Sequence, residues 1–385
     1  MWMQSLTSAA LVGLVAAGGP AAVEAPTTGG SAVSAVASVA GTASWTGATR
    51  SGAHVPHLLR QAEPVRVVGT LPIYAELAQE IGGGEVTVRS IADPREDAHF
   101  VRPRPSFAAA IRQADLLITT GLDLELWLPT LLDRAGNADV AEGRPGYVTA
   151  YSGIELLDVP EVVDRSQGDI HIYGNPHIYT DPVNVIQIAR NITEGLKNVA
   201  PDRAAVFDRG FADFADRIHR ALFGDRLVEL LRGETLEQLA RRGDLMRFLR
   251  DTPFEGRPLI EQLDGWLGEG MAFRGEDLIC YHKNWAYFEN RFGVRCAEFV
   301  ESKPGIPPTP GHVSRLIDMM QNQGIDVIFA ANYFDRSRVE SVARRAGATA
   351  VIVPLEPGGA VGVESYVDVV DRWVAELARA FGATT

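Results

Sequence analysis

Three histidines stand in settings that fix the backbone direction before the side chain is used. His177 lies in Gly174-Asn175-Pro176-His177-Ile178-Tyr179-Thr180-Asp181-Pro182, behind one proline and just ahead of a helix that opens Asp-Pro. His99 lies in Glu96-Asp97-Ala98-His99-Phe100, and His282 in Ile279-Cys280-Tyr281-His282-Lys283. Imidazole is the commonest metal ligand in proteins. A zinc or manganese site needs three or four ligands and makes no demand on sequence proximity. Singly, each histidine is more often a satisfied structural residue. Together, each at a strand end or a rigid turn, they read as one metal site gathered by folding.

The elements that must position them alternate strand and helix. Strands are expected over 64–70, 85–91, 115–121 and 146–150, with helices over 73–81, 106–114 (capped by Ser106) and 124–135. His99 then falls at the carboxyl end of the second strand, where ligands sit in parallel sheets. Residues 183–199 and 202–222 are helical and amphipathic, with Phe207, Phe211, Phe214 and Ile218 forming a packing stripe. Residues 227–270 read as helical and charged. The alternation resumes with strands over 277–281, 294–300, 327–330 and 350–353 and helices over 284–292, 309–323, 337–346 and 364–381. The expected fold is α/β: two similar lobes, each a parallel sheet flanked by helices, joined by a long rigid helical connector, with metal in the cleft between the lobes. The N-terminal lobe is placed at 64–181, the connecting helix at 182–224 and the C-terminal lobe at 225–385.

A chain of 385 residues with 46% hydrophobic content can build two such cores. Its formal net charge of -13 argues against nucleic acid or an anionic membrane as partner and is compatible with cation capture. The run Ser8-Ala9-Ala10-Leu11-Val12-Gly13-Leu14-Val15-Ala16-Ala17, with Val23-Glu24-Ala25 after it, reads as a secretory signal over 1–25, without the usual basic start. It is too short for a membrane span, and no cysteine follows it, so lipid attachment through an N-terminal cysteine is not expected. Residues 26–63, rich in Ala, Gly, Ser and Thr, read as a flexible tether, and their His54 and His57 are left out of the site. Cys280 and Cys296 bracket a helix-like stretch between two strands; a disulfide and a pair of small buried residues both remain open.

Longer motifs add what spacing does not. Glu96-Asp97-Ala98-His99-Phe100-Val101-Arg102-Pro103-Arg104-Pro105-Ser106 resembles the Asp-Pro-His-x-Phe-Glu-Pro-x-Pro-Ser signature of the metal-binding extracytoplasmic proteins of ABC importers for zinc and manganese. Ala114-Asp115-Leu116 and Gly121-Leu122-Asp123-Leu124-Glu125-Leu126-Trp127-Leu128 are similar to the same family's Ala-Asp-Leu and Gly-x-x-Leu-Glu-x-Trp-Leu. Asn175-Pro176-His177 through Asp181-Pro182 resembles its second ligand motif. His282-Lys283-Asn284-Trp285-Ala286-Tyr287-Phe288 resembles the third, and Gly305-Ile306-Pro307-Pro308-Thr309-Pro310 the proline-rich turn after it. Ala98 and Arg102 depart from the pattern, and the likeness runs from about residue 65 to the C-terminus.

The resemblance implies a ligand set of His99, His177 and His282, with Glu356 where the family carries an aspartate after the last strand. It implies capture of Zn(II) as transported ligand, with Mn(II) or Fe(II) as the alternative, since manganese members generally carry Glu at the third position. Nitrogen-rich donors suit zinc. His171, in the 160–173 segment where zinc members often carry a His-rich loop, is open between an auxiliary ligand and an ordinary loop residue. The implied partner is the membrane permease of an ABC importer, the implied place the periplasm or another extracytoplasmic space, and the expected state a monomer without enzymatic activity. A secreted zinc hydrolase would need an open ligand position and a general base, and no His-Glu-x-x-His pair occurs. A surface adhesin is the remaining alternative. If neutral imidazoles carry the ion, its affinity should fall as pH drops through about 6 to 5.

Overall fold

The computed structural model describes residues 63–160, 171–301 and 305–382. The leader expected over 1–25, the tether to residue 62 with His54 and His57, and most of the segment before His171 lie outside the described residues. The N-terminal lobe runs β1 (Val65–Gly69), α1 (Pro72–Gly82), β2 (Val86–Ser90), α2 (Pro105–Gln113), β3 (Leu116–Thr119), α3 (Leu128–Ala135) and β4 (Tyr147–Thr149). Its four strands are parallel in the order β2-β1-β3-β4. β3 is buried along its whole length, as a strand covered on both faces must be, which is why its sequence is a continuous apolar run. Ser106 does not cap α2: Pro105 already supplies the fixed φ of a first helical residue, so the helix starts one position earlier with Arg104 as its cap. α3 starts later than its apolar pattern suggests, at Leu128, because the chain runs through successive turns over 122–127 first.

The connector over 182–224 is built from two helices, α4 (Pro182–Val199) and α5 (Ala204–Phe223), with a 3₁₀ turn at Pro201–Arg203 between them. α4 packs on β3 and β4, and α5 reaches from α1 in the first lobe to α9 (Gly265–Glu269) in the second. Gly210 permits that reach, since a Cβ there would collide with the carbonyl of Ile81. Short helices α6 (Asp225–Leu231), α7 (Gly233–Arg241) and α8 (Leu245–Asp251), then a two-residue ladder of β5 (Pro253–Phe254) and β6 (Arg257–Pro258), complete the insertion before α9.

The second lobe runs β7 (Asp277–Cys280), α10 (Ala286–Phe292), β8 (Arg295–Phe299), α11 (Pro310–Gln323), β9 (Val327–Ala331), α12 (Arg336–Ala346), β10 (Thr349–Val353) and α13 (Tyr366–Ala380). Its parallel strands lie in the order β10-β9-β7-β8. In both lobes the first strand sits between the second and the third, with the fourth outside the third, so the two windings are the same. Strand periodicity divides the C-terminal core. Leu278, Cys280, Val327, Phe329 and Val351 point into a large core shared with the first lobe, while Ile279, Ile328 and Ala330 face α11 and α12 in a separate cluster.

Three devices tie these elements together. Asp181 caps α4 through Val183 N and receives a two-pronged bond from Arg291 of α10, with the Arg and Asp side chains only 10% and 3% exposed. Cys280 and Cys296 form a disulfide between neighbouring strands β7 and β8, and this decides the alternative left open by their spacing. Ser365 and Asp368 form a reciprocal capping box that starts α13. No helix among the described residues is long and apolar enough to cross a membrane.

Candidate metal centre

The three histidines singled out by their motifs meet where the two lobes face each other. His99 sits in a 3₁₀ turn, Ala98–Phe100, beyond β2. Asp97 Oδ1 accepts the His99 backbone N–H at 3.0 Å and the His99 Nδ1–H at 2.7 Å. Trp127 Nε1 donates to the carbonyl of Ala98 at 2.8 Å and pins that turn to the segment ahead of α3. His177 is buried and repeats the device: Asn175 Oδ1 accepts its backbone N–H and its Nδ1–H, both at 3.0 Å. Asn175 Nδ2 in turn donates to the carbonyl of Lys283 at 2.9 Å and to Asp158 at 3.1 Å. His282, also buried, lies two residues past β7, and its Nδ1 lies 3.2 Å from the carbonyl of Glu301, two residues past β8.

In all three cases an oxygen acceptor takes the Nδ1 proton, so the Nε2 lone pair is the one left for a ligand. Such outer partners fix tautomer and ring direction and raise donor basicity. Ring centroids are 5.3 Å apart for His99 and His177, 6.2 Å for His99 and His282, and 6.4 Å for His177 and His282. Two imidazoles on one tetrahedral zinc would have centroids about 5 Å apart, given Zn–N distances near 2.0–2.1 Å. A fourth ring joins the group. His171 lies 5.1 Å from His99 and 6.3 Å from His177, centroid to centroid.

Among the described residues no group of three or more His, Cys, Asp or Glu side chains stands ready to hold an ion as placed. At His99, Nε2 lies 3.0 Å from Nε2 of His171. That lone pair is engaged by a neighbouring ring. The rings are gathered, and proximity, rather than converged donors, carries the metal reading.

Electrostatics suits a cation that arrives among neutral donors. Burial, then the neighbouring imidazoles, drops His177 well below the usual histidine range and His171 to about 3. Burial also lowers His282 to about 4, against the opposing pull of its bond to the Glu301 carbonyl. Burial works against ionisation of Asp97 too, but the hydrogen bonds and charge of His99 outweigh it and hold the carboxyl below the ordinary range.

Glu356 is placed differently. It follows β10, is buried, and its Oε2 accepts the N–H of Ile73 in the first turn of α1 at 3.0 Å. A residue of the second lobe thereby reaches a helix start in the first, a place that favours a carboxylate. Its other oxygen, Oε1, is buried without a partner, and burial pushes the carboxyl up to about 8. The three histidines and His171 are thus in ring-to-ring contact, and Glu356 is anchored at α1. The motif reading passed over the residues that aim the rings, Asp97, Asn175 and Glu301. Two carried a signal: an Asp or Asn stands two residues before His99 and before His177, the spacing of an Asx turn.

Comparison with known proteins bears on the same region. The family model described as the periplasmic zinc-uptake complex component A, ZnuA, matches residues 67–221 and 258–380. The chain is similar to the iron-binding protein YfeA of Yersinia pestis, 24% identical over 83% of this chain and 88% of that protein. It is similar to the manganese-binding lipoprotein MntA of Halalkalibacterium halodurans, 22% identical over 82% and 90%. Among solved structures, a zinc-bound ZnuA deletion mutant aligns with a TM-score of 0.59 at 19% identity, over 84% of this chain and all of that one. The manganese-bound periplasmic metal-binding protein of Candidatus Liberibacter asiaticus aligns at 0.56 and 18%, over 83% and all of that chain. The two cysteines of this sequence are paired with each other inside the second lobe. The chain belongs to the ZnuA family, the extracytoplasmic metal-binding substrate-binding proteins of ABC transporters.

Proposed function

We propose that this protein captures Zn(II) outside the cytoplasm and delivers it, as a monomer, to the permease of an ABC-type importer. His99, His177 and His282 hold the ion, and Glu356 is the carboxylate donor of the set. One observation carries the reading: three imidazoles from three separate segments, each with Nδ1 bound to an oxygen, present Nε2 within one cluster. Three nitrogens favour zinc over manganese, which prefers oxygen donors. The unpartnered Oε1 of Glu356 supports its place, because a buried acceptor without a donor is what a cation would satisfy. That same oxygen, together with relatives named for iron and manganese, favours the second reading, delivery of Mn(II) or Fe(II).

Calorimetric titration with Zn(II) and Mn(II) tests the reading. Alanine at His99, His177 or His282 should each weaken zinc binding by orders of magnitude with the fold intact. If two of the three variants bind zinc as well as the wild type, the constellation is wrong. Wild-type protein that takes Mn(II) more tightly than Zn(II) moves the assignment to the second reading.

A further inference from the structure

We propose that Glu76 is a proton-operated latch between the lobes, holding them together while it carries its proton and loosening them when the proton leaves. The two lobes exchange carboxyl groups at helix starts. Glu356 of the second lobe accepts the N–H of Ile73 in the first turn of α1, at 3.0 Å. Glu76, a turn further along α1, returns the contact. Its Oε1 accepts the N–H of Tyr366, the first residue of α13, at 3.3 Å. Tyr366 is buried, and its hydroxyl donates to the carbonyl of Tyr179 at 3.0 Å. Tyr179 stands two residues after His177, in the 3₁₀ turn Ile178–Thr180. One residue of the second lobe thereby joins Glu76 to the turn beside a histidine of the metal centre.

The setting makes that proton matter. The other oxygen of Glu76, Oε2, is buried without a hydrogen-bond partner, so a charge there is poorly compensated. Two carboxyl groups act against ionisation, Glu80 on the same helix and Asp368 from α13. Burial opposes the charge on Asp368, but bonds from Ser365 and Glu364 outweigh it and hold that carboxyl below its usual range. Arg217 of α5 is the one cation acting on Glu76, and it is paired with Glu80. α4, also packed on α1, buries no charged side chain. Burial, then Glu80, pushes the Glu76 carboxyl up to about 8, against the pull of Tyr366 N–H and Arg217. Parting the lobes would hydrate Glu76, return it to the ordinary carboxylate range and free its proton. The advantage of the closed arrangement is therefore full below 4.5 and is lost as pH rises through about 8. The device works whichever ion is carried.

Hydrogen exchange in the full, metal-free chain tests the latch in wild type, Glu76→Gln and Glu76→Ala. In wild type the protection factor of the Tyr366 amide should fall by up to about tenfold per pH unit between about pH 6 and 8. The Ile73 amide, bound to the other carboxyl group, should lose protection in step, because the lobes part as units. Glu76→Gln keeps an acceptor for Tyr366 but cannot ionise, so protection should stay high and most of the slope should vanish. Glu76→Ala should leave Tyr366 poorly protected at every pH. Urea unfolding supplies a second measure: the stability of Glu76→Gln relative to wild type should rise between about pH 5 and 8. A wild-type protection factor that stays flat overturns the proposal, as does an equal slope in Glu76→Gln. Loss of protection at Tyr366 alone, with Ile73 unchanged, also overturns it, since that is fraying of α13 and not parting of the lobes.

Discussion

His99 and His177 are aimed by local turns, whereas His282 is aimed by a neighbouring strand. In the turns, one oxygen of Asp97 or Asn175 binds both the backbone N–H and the ring Nδ1 of a histidine two residues on. At His282 the acceptor is the carbonyl of Glu301, reached only because β7 and β8 pair and the chain continues past both. A local device survives changes elsewhere in the fold. A tertiary one is only as exact as the register beneath it. Asn175 is the exception that joins the two, since its Nδ2 also holds the carbonyl of Lys283, next to His282.

Asn175→Ala should therefore have the largest effect. It strands the backbone and ring donors of His177 and the Lys283 carbonyl in a buried setting. At about 1–3 kcal/mol for each buried group left unpaired, the loss of stability should be about 3 kcal/mol or more. Zinc affinity should fall by more than about 100-fold, beyond the range for a partner that supports one ligand. Urea unfolding and zinc titration measure the two. A cost no greater than that of Asp97→Ala would remove the bridging role.

The strand-held histidine has its own test. The disulfide beneath His282 closes a span with a sequence separation of 16, and loop-closure entropy for that length stabilises by about 3 kcal/mol. Replacing Cys280 and Cys296 together by alanine should lower stability by that amount. It should also weaken zinc binding, because the β7–β8 register that brings Glu301 to His282 loosens. A variant that loses stability and binds zinc unchanged shows that strand pairing alone holds the ring.

This difference also explains how much the sequence discloses. Both four-stranded sheets follow from apolar runs broken at turn residues, and strands β3 and β9 were legible because burial on both faces leaves only apolar residues. The three histidines were legible because each sits in a motif with a proline, a turn residue or a strand end beside it. The start of α3 was not, because the apolar residues from Leu124 lie in turns and the helix begins only at Leu128. Glu301 as a partner of His282 is 19 residues away and invisible without the pairing of β7 with β8. The contact of His171 with His99 spans 72 residues and depends on a turn that only Gly174 can close. The family likeness located Glu356 after the last strand, but its attachment to Ile73 joins opposite ends of the chain.

Asp97→Ala isolates the local device. The substitution removes both bonds to His99, and loss of such an outer partner costs about 10–100-fold in metal affinity. Asp97→Asn keeps an acceptor oxygen, as Asn175 does for His177, and should recover most of that loss. If Asn at 97 binds zinc no better than Ala, the negative charge rather than the turn geometry is what His99 requires.

The smallest effect concerns protons, and it tests whether Glu356 or His171 supplies the fourth donor. Free histidine titrates near ~6.5, so the sequence alone puts zinc loss between about pH 6 and 5. Burial moves that window down, with His282 held to about 4, His171 to about 3 and His177 well below its ordinary value. From about 6.5 down to those values the unfolded chain binds protons that the folded rings do not, so stability without metal falls as pH drops through that window. Glu356 acts in the opposite sense. Burial raises it from 4.5 to about 8, so its contribution is full at low pH and is lost as pH rises through about 8. Zinc binding to His177 and His282, which burial keeps neutral at pH 7, displaces no proton from them. Glu356 joining the shell must release about one proton, and His171 none. Calorimetry in buffers of different ionisation enthalpy counts that release. A count near zero at pH 7, unchanged in Glu356→Gln, is expected if His171 completes the zinc shell. A count near one that disappears in Glu356→Gln gives the place to the carboxylate, and zinc loss already complete by about pH 5 would return the rings to the ordinary histidine range.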